Sequence, residues 1–212
     1  MQHDIVSGTE WLAARQALLA EEKKLAELRA RIVEQRRALP WTMVDKAYAF
    51  DTPAGQQTLG ELFEGRGRLI VYHFMFAPDW QDGCPGCSQL GNHLDGLEAQ
   101  LAHHDATFTA VSRAPIDRIE DYRRRRGWRF RWVSSQPSDF SYDFQAAYRP
   151  EQVGQEVVYG FERTRMDRED VPGTSVFARS AAGEVFQLMH CAPIAAVNIS
   201  ARIEAGLWSP GK

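Results

Sequence analysis

Apolar residues open the chain in a seven-residue rhythm. Trp11, Leu18, Leu25 and Ile32 recur at that interval, joined by Leu12, Leu19, Leu28 and Val33. This pattern predicts one apolar stripe along a long helix. Ser7 or Thr9 caps it, Glu10 lies in its first turn, and Pro40 bars continuation. Glu21 and Gln35 stand where a coiled coil would place a second apolar column, which argues against a free-standing zipper. Residues 1–40 are therefore expected to form an arm that packs on its own domain or forms a homodimer.

The rhythm then changes. Residues 46–51 predict a short strand closed by a Thr52-Pro53-Ala54-Gly55 turn, and Thr58–Phe63 predicts one helical turn. Leu69–Phe76 is continuously apolar, as a central strand covered on both faces must be. Leu90, Leu94, Leu97 and Leu101 predict a helix running to about His103. A strand over 107–112, a helix from Ile116 to a stop at Gly127, and a strand over 132–134 follow. Residues 140–148 read as a loop with a helical turn, and the charged stretch 162–170 as a connector. Two strand-like runs around Ala181-Ala182-Gly183 predict a hairpin, and 192–207 a closing helix. The sum is an α/β protein, a mixed sheet covered by helices on both faces, with residues 41–212 as one domain.

Composition narrows the function without naming it. A formal charge of −3 and a pI near 6.1 give no overall attraction to nucleic acid or anionic membrane. No apolar run is long enough to span a bilayer, and the first residues lack a secretory signal pattern, so a cytoplasmic protein is expected. Asp117, Glu120 and Asp121 precede Arg123–Arg126 on one predicted helix, the arrangement that offsets the helix dipole, so the arginine run is read as a solvated helix end. Three cysteines are too few for a disulfide framework. In a reducing compartment, a close pair points to catalysis or metal binding.

That pair is Cys84-Pro85-Gly86-Cys87, placed between the central strand and the leucine-striped helix. Unpaired amides and the helix dipole favour a thiolate at Cys84. Pro85 suits the first turn, where its missing N–H has no partner to lose. Cys87 lies close enough to resolve a mixed disulfide formed on Cys84. Zinc is the rival reading, with His93 or the His190-Cys191 pair completing a ligand set, but no second C-x-x-C or H-x-x-x-H is present. A third reading makes both cysteines small buried hydrophobes. Cys191 stands alone, and burial is the reading favoured for it. No cofactor or metal is expected.

The run Tyr72 to Trp80, containing HFMF-x-PDW, and the block Cys84-Pro85-Gly86-Cys87-Ser88 resemble a bacterial thioredoxin-like family of unassigned function. Its members are described as predicted dithiol–disulfide oxidoreductases or isomerases. Leu39-Pro40-Trp41, Val111–Pro115, Gly127-Trp128 and Ser138–Phe144 continue the resemblance, which spans roughly residues 10–190. It implies a thioredoxin fold related to the peroxiredoxin and thiol-reductase branches. It also implies a cis-proline site facing the dithiol, at Pro172 by one count and at Thr174 by another. The tail Leu188–Pro193 departs from the family pattern, and Gln81 occupies the place where a peroxiredoxin would carry Thr or Ser.

His73 lies near where thioredoxins carry a buried acid, so it is either a base for Cys87 or a core histidine with a satisfied hydrogen bond. Arg113, at the end of a strand on the same sheet edge, either lowers the Cys84 pKa, holds an anionic substrate, or forms an ion pair. The expected activity is dithiol–disulfide exchange with a disulfide-containing protein or a small thiol. The rival readings are a thioredoxin-fold binding or sensor protein and a peroxiredoxin-like small-molecule reductase.

Overall fold

Ser7 and Glu10 cap each other at the start of the first helix, α1 (Gly8–Arg37). The Ser7 hydroxyl accepts from the Glu10 amide at 3.3 Å, and Glu10 Oε2 accepts from the Ser7 amide at 2.9 Å. Arg36 and Arg37 occupy the last turn, where positive charge suits the helix dipole. None of the α1 residues is buried, Leu18 and Leu25 included. The computed structural model describes residues 3–191 and divides the chain into two units between Leu39 and Pro40. The closing helix expected over 192–207 and the reading of the Cys191 side chain lie outside the described residues.

The body is built on an eight-stranded mixed sheet. Its strands are β1 (Thr42–Met43), β2 (Ala49–Thr52), β3 (Gly55–Thr58), β4 (Arg68–His73), β5 (Ala106–Ser112), β6 (Trp132–Ser134), β9 (Gly173–Arg179) and β10 (Val185–Cys191). They are arranged in the order β1-β10-β9-β4-β5-β6-β2-β3. The separate hairpin of β7 (Glu156–Tyr159) and β8 (Glu162–Arg165) lies outside this sheet. β4, β5 and β6 run parallel, while β9 and β10 return antiparallel beside β4.

Strand alternation sorts the core into two layers. Leu69 and Val71 of β4 join Val111, Val133, Phe177, Phe140 and Phe144 on one face, beneath the 3-10 turn Glu61–Phe63 and α5 (Phe140–Asp143). Ile70 and Tyr72 point to the other face, which α2 (Pro85–Leu94), α3 (Glu98–His103) and α4 (Ile116–Arg126) cover.

Three departures from the sequence reading have local causes. The single helix expected to reach His103 is two helices. Asp95 turns away to accept the Arg129 and Phe130 amides at 2.7 and 3.2 Å, and Gly96 takes φ +92°. The Thr52–Gly55 turn opens a hairpin rather than ending a strand, with β3 paired to β2 from Gly55 onward. The first four residues of the charged connector are the second strand of the β7–β8 hairpin, which seats Val157 and Tyr159 against Tyr148, Met166 and Val171.

Candidate active site

The loop after β4 is tied down at many points before it delivers the cysteines. The Phe74 amide donates to the Val111 carbonyl at 2.9 Å, continuing the sheet pattern one residue past His73. The Ala114 amide donates to the Phe76 carbonyl at 2.8 Å, and Ser112 Oγ to the Phe74 carbonyl at 2.6 Å. Arg118, which the sequence reading passed over, donates to the Pro78 and Trp80 carbonyls at 2.5 and 2.8 Å. The Cys84 amide returns to the Met75 carbonyl at 3.0 Å. Gly83 fits because it has no side chain: a Cβ there would lie 2.6 Å from Phe74 Cε1 and 3.0 Å from Tyr122 Cε1. Phe74 and Tyr122 belong to an aromatic wall with Phe76, Trp128, Phe130 and Trp132.

Cys84 is the N-cap of α2, and Pro85 takes its first position. Both thiols are free; Cys84 is partly exposed and Cys87 is buried. The Cys84 thiol is lowered to about 6, chiefly by the hydrogen bond it receives from the Cys87 side chain. Burial opposes that shift, while the Cys87 and Gly86 amides and the nearby Arg168 guanidinium add to it. Cys87 moves the opposite way. Its role as donor to Cys84 and its burial push its thiol up, and a hydrogen bond from the Tyr72 hydroxyl offsets part of the rise. These shifts favour a thiolate at Cys84 and a protonated thiol at Cys87 at neutral pH. Ser88 seals the first turn, its hydroxyl donating to the Cys84 carbonyl at 2.8 Å and lying 2.8 Å from Tyr122 Oη.

The other residues singled out in the sequence fall elsewhere. His73 is on the sheet face away from α2, its Nε2 2.8 Å from Ser175 Oγ and its ring stacked on Phe140. Ser175 Oγ also lies 3.1 Å from His190 Nδ1. His73 is therefore not beside Cys87, because consecutive strand residues face opposite ways. Burial, and then the neighbouring His190, lower its imidazole to about 3. Arg113 does not reach Cys84. It grips the buried Asp170 with two hydrogen bonds of 2.8 and 3.1 Å, and reaches Tyr142 Oη at 2.7 Å and Glu169 at 3.0 Å. The cation that acts on Cys84 is Arg168, in the segment Arg113 anchors.

Thr174 is buried opposite Tyr72 across the β4–β9 ladder, with no hydrogen-bond partner for its hydroxyl. No peptide bond among the described residues is cis, Pro172 included, so the cis-proline implied by the resemblance is absent there. The zinc alternatives stand apart: His93 Nδ1 is 2.8 Å from the Gln89 carbonyl of its own helix, and His190 is on the His73 face. Among the described residues no cluster of three His, Cys, Asp or Glu side chains is arranged to hold a metal, and no helix is long and apolar enough to cross a membrane.

A mixed sheet with a C-x-x-C motif opening the helix after its central strand defines a thioredoxin-like protein. The family model described as "Bacterial protein of unknown function (DUF899)" matches residues 1–202, and the chain belongs to that family. A peroxiredoxin Q mutant from Xanthomonas campestris superposes with a TM-score of 0.53 at 16% identity, over 80% of this chain and 96% of that one. The bacterioferritin comigratory protein of the same organism, described for its alkyl peroxide reduction activity, gives 0.50 at 16% identity over 79% and 98%. At these identities the likeness defines the fold. No curated protein matches the chain.

Proposed function

We propose that this protein is a dithiol–disulfide oxidoreductase working through Cys84 and Cys87. The observation that carries this reading is the placement of two free thiols at the start of α2, the partly exposed Cys84 at its N-cap and the buried Cys87 three residues on; the Cys84 thiol lowered to about 6 and the Cys87 thiol pushed up agree with it.

The Cys84 thiolate attacks one sulfur of a substrate disulfide, forming a mixed disulfide and expelling the other sulfur as a thiolate. Cys87 then gives up its proton and attacks Cys84 Sγ. The Cys84–Cys87 disulfide forms, and the substrate leaves as a thiol carrying that proton. The substrate disulfide is reduced by two electrons and the dithiol is oxidised by two. Cellular thiols return the protein to its starting state, which suits a cytoplasmic location.

The substrates this implies are disulfide-containing proteins or small disulfides. A second copy of the chain is the partner expected along α1. The first half of that helix is weighted to Glu10, Glu21 and Glu22 and the second to Lys23, Lys24, Arg29 and Arg31, so an antiparallel pair matches charge. Leu18→Glu with Leu25→Glu should then reduce the sedimenting mass to that of a monomer.

The deciding experiment is a redox titration in thiol–disulfide buffers, with bridged and free thiols distinguished by mass. A reversible intramolecular disulfide between about −120 and −270 mV, the span of exchange proteins, supports the reading. Cys84→Ser should abolish turnover and Cys87→Ser should trap the mixed disulfide. Absence of any bridge overturns the proposal.

A further inference from the structure

Arg118, Tyr122 and Arg125 follow one another in α4 at spacings of four and three, so they share one face of the helix. That face addresses the cysteine loop along its length. Arg118 donates to the Pro78 and Trp80 carbonyls, and Arg125 Nη2 donates to Asp82 Oδ1 at 2.6 Å. Tyr122 stands between them, 6% exposed, with the Arg125 guanidinium over its ring at 5.1 Å from the centroid. Its hydroxyl lies 2.8 Å from Ser88 Oγ, with the Gly83 carbonyl farther off at 3.5 Å. Ser88 is 3% exposed, and its one hydroxyl proton goes to the Cys84 carbonyl at 2.8 Å. The proton shared between Ser88 and Tyr122 is therefore the phenol's. A directed chain results, in which Tyr122 donates to Ser88 and Ser88 donates to Cys84. It ends on the residue whose sulfur sits over the first turn of α2, where a Cβ on Gly86 would lie 3.9 Å from Cys84 Sγ.

We infer that Ser88 is a positioning residue for the Cys84 thiol, held to that task by Tyr122 from α4. The inference rests on the exchange reading above and deepens it, since it concerns the sulfur that attacks. Two physical effects run in the same direction. The Cys84 carbonyl oxygen carries partial negative charge close to its own side chain, which disfavours a thiolate there. The Ser88 hydroxyl, added to the Ser88 amide at 2.9 Å, offsets that charge. The same two bonds fix the Cys84 backbone at ψ 131°, and this angle sets where the sulfur falls relative to the free amides of the first turn. Packing alone needs only the Tyr122 ring, which meets Phe76, Trp128 and Trp132 in the aromatic wall. The hydroxyl reaches beyond that wall to a side chain bonded to the Cys84 carbonyl.

The test uses the reduced full-length chain and iodoacetamide, with the alkylated Cys84 peptide read by mass across pH. The variants are Ser88→Ala, Tyr122→Phe, which keeps the ring, and the two together. Cys87, Tyr72 and Arg168, the ionisable groups that act on Cys84, are the same in all of them, as are Asp82 and Arg125. At about pH 5, below the wild-type midpoint, the rate follows the thiolate fraction. Ser88→Ala should slow alkylation there roughly two- to tenfold, the worth of one hydrogen bond. Tyr122→Phe should slow it at least about twofold and by no more than Ser88→Ala does, and the double variant should be no slower than Ser88→Ala. At about pH 9, above the ordinary cysteine value, all rates should agree within about twofold. A wild-type rate at the lower pH in either single variant overturns the inference. Equal slowing at both pH values also overturns it, because that marks lost access to the sulfur, and so does a double variant in which the two losses multiply. If wild-type Cys84 titrates at the ordinary cysteine value, the exchange reading fails along with the inference. A low wild-type midpoint that neither hydroxyl variant moves sinks the inference alone.

Discussion

Tyr72 and His73 are consecutive in β4 and serve opposite faces of the sheet. Tyr72 lies across the β4–β9 ladder from Thr174 on the side α2 covers, whereas His73 Nε2 lies 2.8 Å from Ser175 Oγ on the other. The imidazoles of His73 and His190 therefore belong to the layer of the core away from α2, the helix that carries Cys84 and Cys87.

The first consequence concerns Cys84. Its thiolate is favoured mainly by Cys87 and only lastly by Arg168. Iodoacetamide should alkylate Cys84 with a pH midpoint near 6. Cys87→Ala, which removes the donor, should raise that midpoint more than Arg168→Ala does, because a direct hydrogen bond outweighs an exposed guanidinium screened by water. A larger shift in the arginine variant would reverse the order of causes.

How much of this was legible in the sequence depends on range. The Cys84–Cys87 position at a strand-to-helix junction was readable because apolar runs mark both elements. The side of the sheet that His73 takes was hidden by its own strand: with both faces of β4 buried, period-2 alternation carries no polarity. An Asp95-Gly96 pair is a turn signal, yet leucines at 90, 94, 97 and 101 keep helical spacing across it. Arg113 and Asp170 are 57 residues apart, and no local pattern joins them.

That long-range pair makes the second prediction. Burial pushes the Asp170 carboxyl up, and Arg113 pulls it back. Arg113→Met removes the counter-charge and leaves Asp170 buried, which should cost about 3–5 kcal/mol in urea unfolding. The double variant Arg113→Met with Asp170→Leu should recover part of that loss. Equal instability of the single and double variants would point to packing rather than charge.

Gly83 makes the third. An added Cβ meets ring carbons of Phe74 and Tyr122 inside contact distance, and both rings are held in the aromatic wall. Gly83→Ala should destabilise by about 1–3 kcal/mol, the cost of overpacking. It should also slow Cys84 alkylation at pH 7, since the strained residue immediately precedes the N-cap. Stability loss with unchanged thiol reactivity would separate the loop from the site.

The two buried histidines make the last. His73 and His190 share Ser175 Oγ, and His73 Nδ1 and His190 Nε2 have no partner, so protonating either ring places an uncompensated charge in the core. Both imidazoles are lowered by burial, His73 to about 3. Below about pH 6.5, the ordinary histidine value, the unfolded chain binds protons that the folded chain refuses, so stability falls as pH falls. His73 contributes a slope of roughly 1.4 kcal/mol per pH unit once the unfolded form is fully protonated, and His190 adds to it in the same direction. Cys84 acts in a different window, between its folded value near 6 and its higher unfolded value, where its depressed pKa makes stability rise with pH. Measuring urea midpoints in Cys84→Ser protein removes that contribution. In that background, stability should drop steadily from pH 6.5 to pH 5, and His73→Gln, which keeps a hydrogen-bonding group for Ser175, should make the slope shallower by about one proton. An unchanged slope would mean that His73 is charged in the folded protein, with Ser175 and His190 arranged to receive it.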